Sequence, residues 1–166
     1  MEKVLERFIS YARVDTQSDE NSESCPSTKK QLVLAKMLEK EMIEMGLDEV
    51  SLDDKGYLTA SLPSNSSRSL PVLGLLAHMD TSPDMSGRNV RPRLTKNYDG
   101  KDIILNRKKN IVLSPAEFPA LLKYRACDLV TGDGTTLLGA DDKAGIAEIL
   151  TAIEFFLLNP EVKHGK

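Results

Sequence analysis

The segment HMDTSPD, His78 to Asp84, directly follows the apolar run PVLGLLA at 71–77. Side chains repeat every two residues along a strand, so His78 and Asp80 project from the same side as the chain leaves the sheet. An imidazole that binds a metal through one ring nitrogen needs an acceptor for the other, and a carboxylate two positions on can supply it. The carboxyl ends of central strands are also where α/β sheets place their ligands. Taken alone, however, a histidine at a strand end is more often a satisfied structural residue.

The second constellation is GDGTTLLGADDKAG, Gly132 to Gly145, a glycine-rich loop running into a helix. A phosphate cradle is one reading of such a loop. Its details exclude that reading. At P-loop spacing Ala140 and Asp141 stand where lysine and serine or threonine are required, and a dinucleotide fingerprint counted from Gly132 would need glycine at Leu137. Adjacent carboxylates at the mouth of the loop would also repel a phosphate. Asp141 and Asp142 suit a cation instead: acids at a helix start offset its partial positive charge and supply hard oxygen ligands. Simple capping of the helix by these two residues stays open. An imidazole from a strand end and a carboxylate from a later helix form a mixed ligand set for zinc, although two ligands do not close a site.

Elements must bring these two pieces together. Val4, Leu5, Phe8, Ile9 and Ala12 recur at helical spacing, which predicts an amphipathic helix over 2–13. A polar loop, DTQSDENSESCPST, follows it. Pro26, Ser27 and Thr28 open a second helix with Leu32, Ala35, Leu38, Met42 and Met45 on one face and Gly46 as its stop. Strands are expected near 50–52, at 57–62 after the Lys55-Gly56 turn, and at 71–77, where apolarity on both faces predicts a central strand covered by helices on each side. The Ser-rich stretch 64–69 reads as a surface loop. Beyond Ser82, IILN and IVLS predict a hairpin. Ser114, Pro115 and Glu117 predict a capping box opening a short helix toward Tyr124. A last helix is expected over 142–158, with Ile146, Ile149, Leu150, Ile153 and Leu157 buried and Asn159-Pro160 ending it. This alternation predicts an α/β domain with helix, sheet and helix layers.

At 166 residues the chain can bury a core of its own, and 40% apolar with 28% charged residues excludes a disordered or fibrous class. A net charge of −3 with both signs interspersed argues against a nucleic-acid partner. No apolar run approaches the ~20 residues of a membrane span, and MEKVLERF lacks a signal-peptide core, so the expected location is cytoplasmic. Cys25 and Cys127 lie outside any paired motif and read as free thiols.

HMDTSPD, NVRPRLTKNYDGKDIIL, NIVLSPAEFP and GTTLLGADDKAGIAEI together resemble the two-zinc peptidases and deacylases, a family that includes carboxypeptidase G-type enzymes, aminoacylases and several dipeptidases. TSPD, NYDGKDI and LSPAEFP point within it to the tripeptide aminopeptidase branch. The resemblance implies a mixed, mostly parallel sheet and a catalytic centre holding two zinc ions when complete. It makes His78 a ligand of one zinc, Asp141 the carboxylate bridging both, and Asp80 the catalytic acid that orients the ligand set, and it implies a cis bond between Asp141 and Asp142.

The implied reaction is metal-assisted release of the N-terminal residue from a tripeptide, with a glutamate carrying the proton to the leaving amine. In the family that glutamate belongs to a Glu-Glu pair on the strand after the last helix. No residue here matches it, nor the further aspartate and histidine ligands, nor the lid domain. His164 lies outside the motifs and is not expected to be a ligand. Residues 1–166 are thus expected to form the N-terminal part of the catalytic domain, inactive alone, with a strand edge open to a second copy. A dipeptidase or deacylase of the same family, and a non-catalytic half-domain module, are the alternatives.

Overall fold

The computed structural model describes residues 2–166. Three helices carry the core: α1 (Glu2–Ala12), α2 (Gln31–Glu44) and α3 (Ala140–Leu158). Phe8, Tyr11 and Ala12 of α1, Leu34 and Leu38 of α2, and Ile146, Ala147 and Leu150 of α3 form one buried cluster. These positions follow the three-to-four spacing that aligns side chains on one helical face. Truncating a fully buried leucine such as Leu34 or Leu150 to alanine removes about 2–5 kcal/mol.

A polar clamp closes the rim of this core. Arg7 donates to Glu41 on α2 at 2.6 Å and to Thr151 and Glu154 on α3 at 3.0 Å, and the Tyr11 hydroxyl donates to Glu41 at 2.5 Å. Charge-assisted bonds of this kind fix the angle between helices more strictly than apolar contact does.

The strands pair two by two. β1 (Asp48–Leu52) and β2 (Leu58–Ser61) form a hairpin around Gly56, whose φ of +88° suits glycine, while the Asp53 carboxylate accepts the N–H groups of Lys55 and Tyr57. β3 (Arg93–Thr95) pairs with β6 (Leu129–Thr131), and β4 (Ile103–Asn106) with β5 (Ile111–Leu113), the hairpin expected from IILN and IVLS.

The α/β class stands, but the sheet departs from expectation. All three pairs are antiparallel, and the parallel contact recorded outside them is a single bridge between Gln17 and Thr81. The reason lies in PVLGLLA. This run forms no strand and is exposed rather than doubly buried, with Leu73 73% and Leu76 89% accessible. Its main-chain partner is the end of the chain, where the Leu73 N–H donates to the Lys166 carbonyl at 3.0 Å. A mostly parallel sheet needs that central strand paired on both edges, and no described residue supplies the pairing.

The short helix also begins later than its capping box predicts. The Ser114 hydroxyl bonds to Asp102 at 2.6 Å, and the chain makes a tight turn before a 3-10 helix at Pro119–Tyr124. The Ser-rich stretch is tied down: the Asn65 side chain bonds Pro160, Val162 and His164. Among the described residues no helix is long and apolar enough to cross a membrane.

An apolar run whose faces are exposed and whose main chain is bonded only at Leu73 among the described residues favours self-association. Replacing Leu73 and Leu76 together by lysine should reduce both dye binding to exposed apolar surface and the concentration-dependent sedimentation of the chain, with unchanged helix content by circular dichroism.

Candidate metal centre

His78 and Asp141 are 63 residues apart in sequence, yet their side chains meet, His78 Nε2 lying 2.9 Å from Asp141 Oδ1. On the other side of the ring, Nδ1 is 3.0 Å from the Asp80 carbonyl oxygen and 3.2 Å from its carboxylate. A carbonyl oxygen only accepts, so Nδ1 carries a hydrogen. Nε2 of a neutral ring then presents a lone pair to a carboxylate oxygen. Two lone pairs at this distance require positive charge between or upon them, from a proton or from a metal ion.

Without a metal the proton is favoured. Burial pulls the His78 pKa down, but the Asp141 hydrogen bond and the Asp80 charge outweigh it, and the net shift is upward. The charged ring is therefore stabilised in the folded state. That contribution is present in full below the ordinary imidazole pKa and is lost as pH rises through the raised value. Both side chains are too exposed, at 53% for His78 and 95% for Asp141, for the pair to contribute much to stability.

The two aspartates at the head of α3 divide two roles. Regular helical geometry starts only after them, and the peptide bond joining them is cis, as the resemblance implies. Asp142 turns inward and accepts the Gly145 N–H at 3.2 Å, which caps the helix. A side chain at Gly145 would collide with that carboxylate. Asp141 is free of this duty, and His78 is its one side-chain partner among the described residues.

Two anchors near the end of α1 hold the centre. Lys143 is buried in α3, and its ammonium donates to the Val14 carbonyl at 2.7 Å. Burial pushes its pKa down to about 8, partly opposed by Asp15. Two residues on, the Thr81 N–H donates to the Thr16 carbonyl at 3.1 Å, and the Ser18 N–H donates to the Thr81 carbonyl at 2.9 Å. Gly139 then passes close to Thr81: a Cβ there would lie 3.1 Å from the Thr81 methyl. Residues 14–18 thus position both the extended segment that carries His78 and the helix start that carries Asp141.

The structure brings together His78, Asp80 and Asp141, the residues singled out from the sequence, and sets behind them Lys143, which the sequence did not single out. Its signal was a lysine at the head of the stripe Lys143, Ile146, Ala147, Leu150, a buried face that a charged residue enters only with a partner. His164 lies elsewhere, its ring 5.1 Å from that of Phe156. Among the described residues no group of three or more His, Cys, Asp or Glu is arranged to hold a metal. The geometry therefore offers a two-donor, nitrogen and oxygen set with its orienting acid in place. The donor types fit zinc, and they stand close enough to be neighbours around one ion.

Comparison with known proteins gives the site its context. No family model matches the chain. It is 61% identical over all 166 residues to peptidase T of Clostridium acetobutylicum, and 58% identical over 164 residues to peptidase T of Brevibacillus brevis. The chain spans 41% and 40% of the length of these relatives. In fold it is similar to an aminopeptidase from Bacillus cereus (TM-score 0.58) and a tripeptidase from Staphylococcus aureus (TM-score 0.60), at 23% identity, covering 99% of this chain and 34% of each structure. The chain is similar to peptidase T from end to end.

Titration of the metal-free chain followed by imidazole NMR should give His78 a pKa above the ordinary value. Asp141→Asn and Asp80→Asn should each lower it. A midpoint that moves in neither variant would mean that these carboxylates do not face the ring in solution.

Proposed function

We propose that this chain contributes two ligands, His78 and Asp141, and one orienting acid, Asp80, to a zinc-dependent centre that releases the N-terminal residue from tripeptides. The observation that carries this reading is the approach of His78 Nε2 to Asp141 Oδ1 with Nδ1 held by Asp80. Similarity to peptidase T over the whole chain supports the reaction class.

In this reading Asp80 holds the tautomer that leaves Nε2 free to coordinate and raises its basicity. Asp141 would be the carboxylate that holds the ions of the complete centre, as the resemblance implies. Its nearly full exposure leaves the oxygen lone pairs that a bridging role needs. Asp142 and Lys143 act behind it, one capping α3 and the other bracing its start. The chemistry a bound zinc ion brings is Lewis acidity toward a peptide carbonyl and a lowered pKa for water. By itself the chain gathers too few donors for a closed site, so it should bind zinc weakly and hydrolyse nothing. A cytoplasmic setting belongs to the same proposal, and the two exposed free thiols, Cys25 and Cys127, suit a reducing compartment.

Two measurements check this. In calorimetry near neutral pH, zinc should bind weakly, and more weakly as pH falls, because protons compete for His78. His78→Ala and Asp141→Ala should each reduce affinity at least roughly tenfold, and Asp80→Asn by about 10–100-fold. Tight binding that survives both alanine variants would identify other ligands. In the second, residues 1–166 replace the matching part of the Clostridium acetobutylicum relative. That chimera should cleave tripeptides, and His78→Ala within it should lower the rate by at least about a hundredfold. Better turnover of an acylated amino acid than of any tripeptide would remove the tripeptidase reading.

A further inference from the structure

Beyond the metal centre the molecule has a polar cavity of about 410 Å³ between the segments 86–91, 106–109 and 133–136. Arg88, Arg91 and Lys109 line it, and among the described residues none of these three side chains makes a hydrogen bond or ion pair. The one carboxylate on its wall is Asp133, already occupied. Thr135 donates to it from the backbone N–H at 2.9 Å and from the hydroxyl at 2.5 Å. Those two bonds, the hydroxyl's first, hold the Asp133 pKa below its ordinary value, with smaller contributions from Arg91 and Arg93. Three cations against one satisfied anion leave the cavity with an excess of two positive charges, in a chain whose net charge is −3.

The walls are tied together. The Leu137 N–H donates to the Ser86 carbonyl at 3.0 Å, which joins the first segment to the third. The Asn106 carboxamide accepts the Lys109 N–H at 3.1 Å and fixes the turn that presents that lysine. Arg93, by contrast, is spent on the Leu105 carbonyl and is not part of the cavity wall. Thr136 also lines the cavity, and its hydroxyl is buried without a hydrogen-bond partner. Like charges gathered around a concave surface repel one another, and an anion offsets that repulsion while satisfying their donors. Two guanidinium forks and an ammonium match a compact group with two or three equivalent oxygens.

We infer that this cavity is a binding site for a compact oxyanion, a carboxylate or a phosphate, held by Arg88, Arg91 and Lys109. It needs no metal and is independent of His78 and Asp141.

The test uses the full 166-residue chain in chelator at low salt, with three probes: inorganic phosphate, a tripeptide with a free C-terminal carboxylate, and the same tripeptide as its C-terminal amide. Amide and guanidinium NMR shifts around 86–91, 106–109 and 133–136 should saturate with phosphate or the free acid at about millimolar Kd, and the affinity should fall with added salt. Arg88→Gln with Arg91→Gln should weaken binding at least roughly tenfold, and Lys109→Met by a smaller factor, with unchanged melting temperature, since all three side chains are exposed. Phosphate binding more tightly than the free acid assigns the site to phosphate groups, and the reverse order assigns it to peptide carboxylates. No saturable shift with either anion, an amide that binds as well as the acid, or affinity unchanged in the double variant would overturn the inference.

Discussion

An imidazole nitrogen facing a carboxylate oxygen at 2.9 Å, with the other ring nitrogen committed to a carbonyl, is the constraint on which the chemistry of the site depends. The arrangement is stable only with positive charge at Nε2 or between the two groups. Surrounding elements hold the pair from behind rather than from solvent. α1 runs into residues 14–18, and that short segment takes the Lys143 ammonium on its Val14 carbonyl and pairs with Thr81. α1 in turn packs on α3 and is locked to α2 and α3 through Arg7. A change in helix packing far from His78 therefore reaches it through two hydrogen-bonded contacts.

The electrostatics follow the same logic. Asp141 stays exposed and chemically available because Asp142 takes over capping of the helix. Lys143, two residues on, points its charge away from the centre and into the fold, toward the carbonyl of Val14. An ammonium facing the carboxylates instead would compete with a metal ion for them. The positive charge of the Arg88, Arg91 and Lys109 cavity lies in segments that pair with each other through Ser86 and Leu137, apart from the His78 and Asp141 donor atoms.

Much of this was legible in the sequence because it is local. The three helices follow from apolar spacing, the β1–β2 turn from Lys55-Gly56, and the hairpin at IILN and IVLS from β-branched runs around a basic turn. His78, Asp80 and Asp141 stood out because strand ends and helix starts are where α/β chains carry ligands. What failed was non-local. PVLGLLA has the composition of a doubly covered strand, but composition says nothing of whether covering layers and pairing strands are supplied, and here it lies open. Ser114 has the letters of a capping box, and its hydroxyl accepts the Ala116 N–H while donating to Asp102 on a neighbouring segment, but the chain closes a tight turn there and the 3-10 helix starts only at Pro119. Lys143 is not legible in the sequence because a lysine in a helix is ordinarily solvated, and its partner, the Val14 carbonyl, is 129 residues distant.

In the proposed centre one divalent ion would lie between the imidazole of His78 and the carboxylate of Asp141. Cadmium-113 NMR on the chain labelled with nitrogen-15 at histidine tests it most directly. A one-bond coupling between cadmium and His78 Nε2, lost in the Asp141→Ala variant, is the predicted result. Coupling to Nδ1, coupling to His164, or coupling to Nε2 that persists without Asp141 would contradict it.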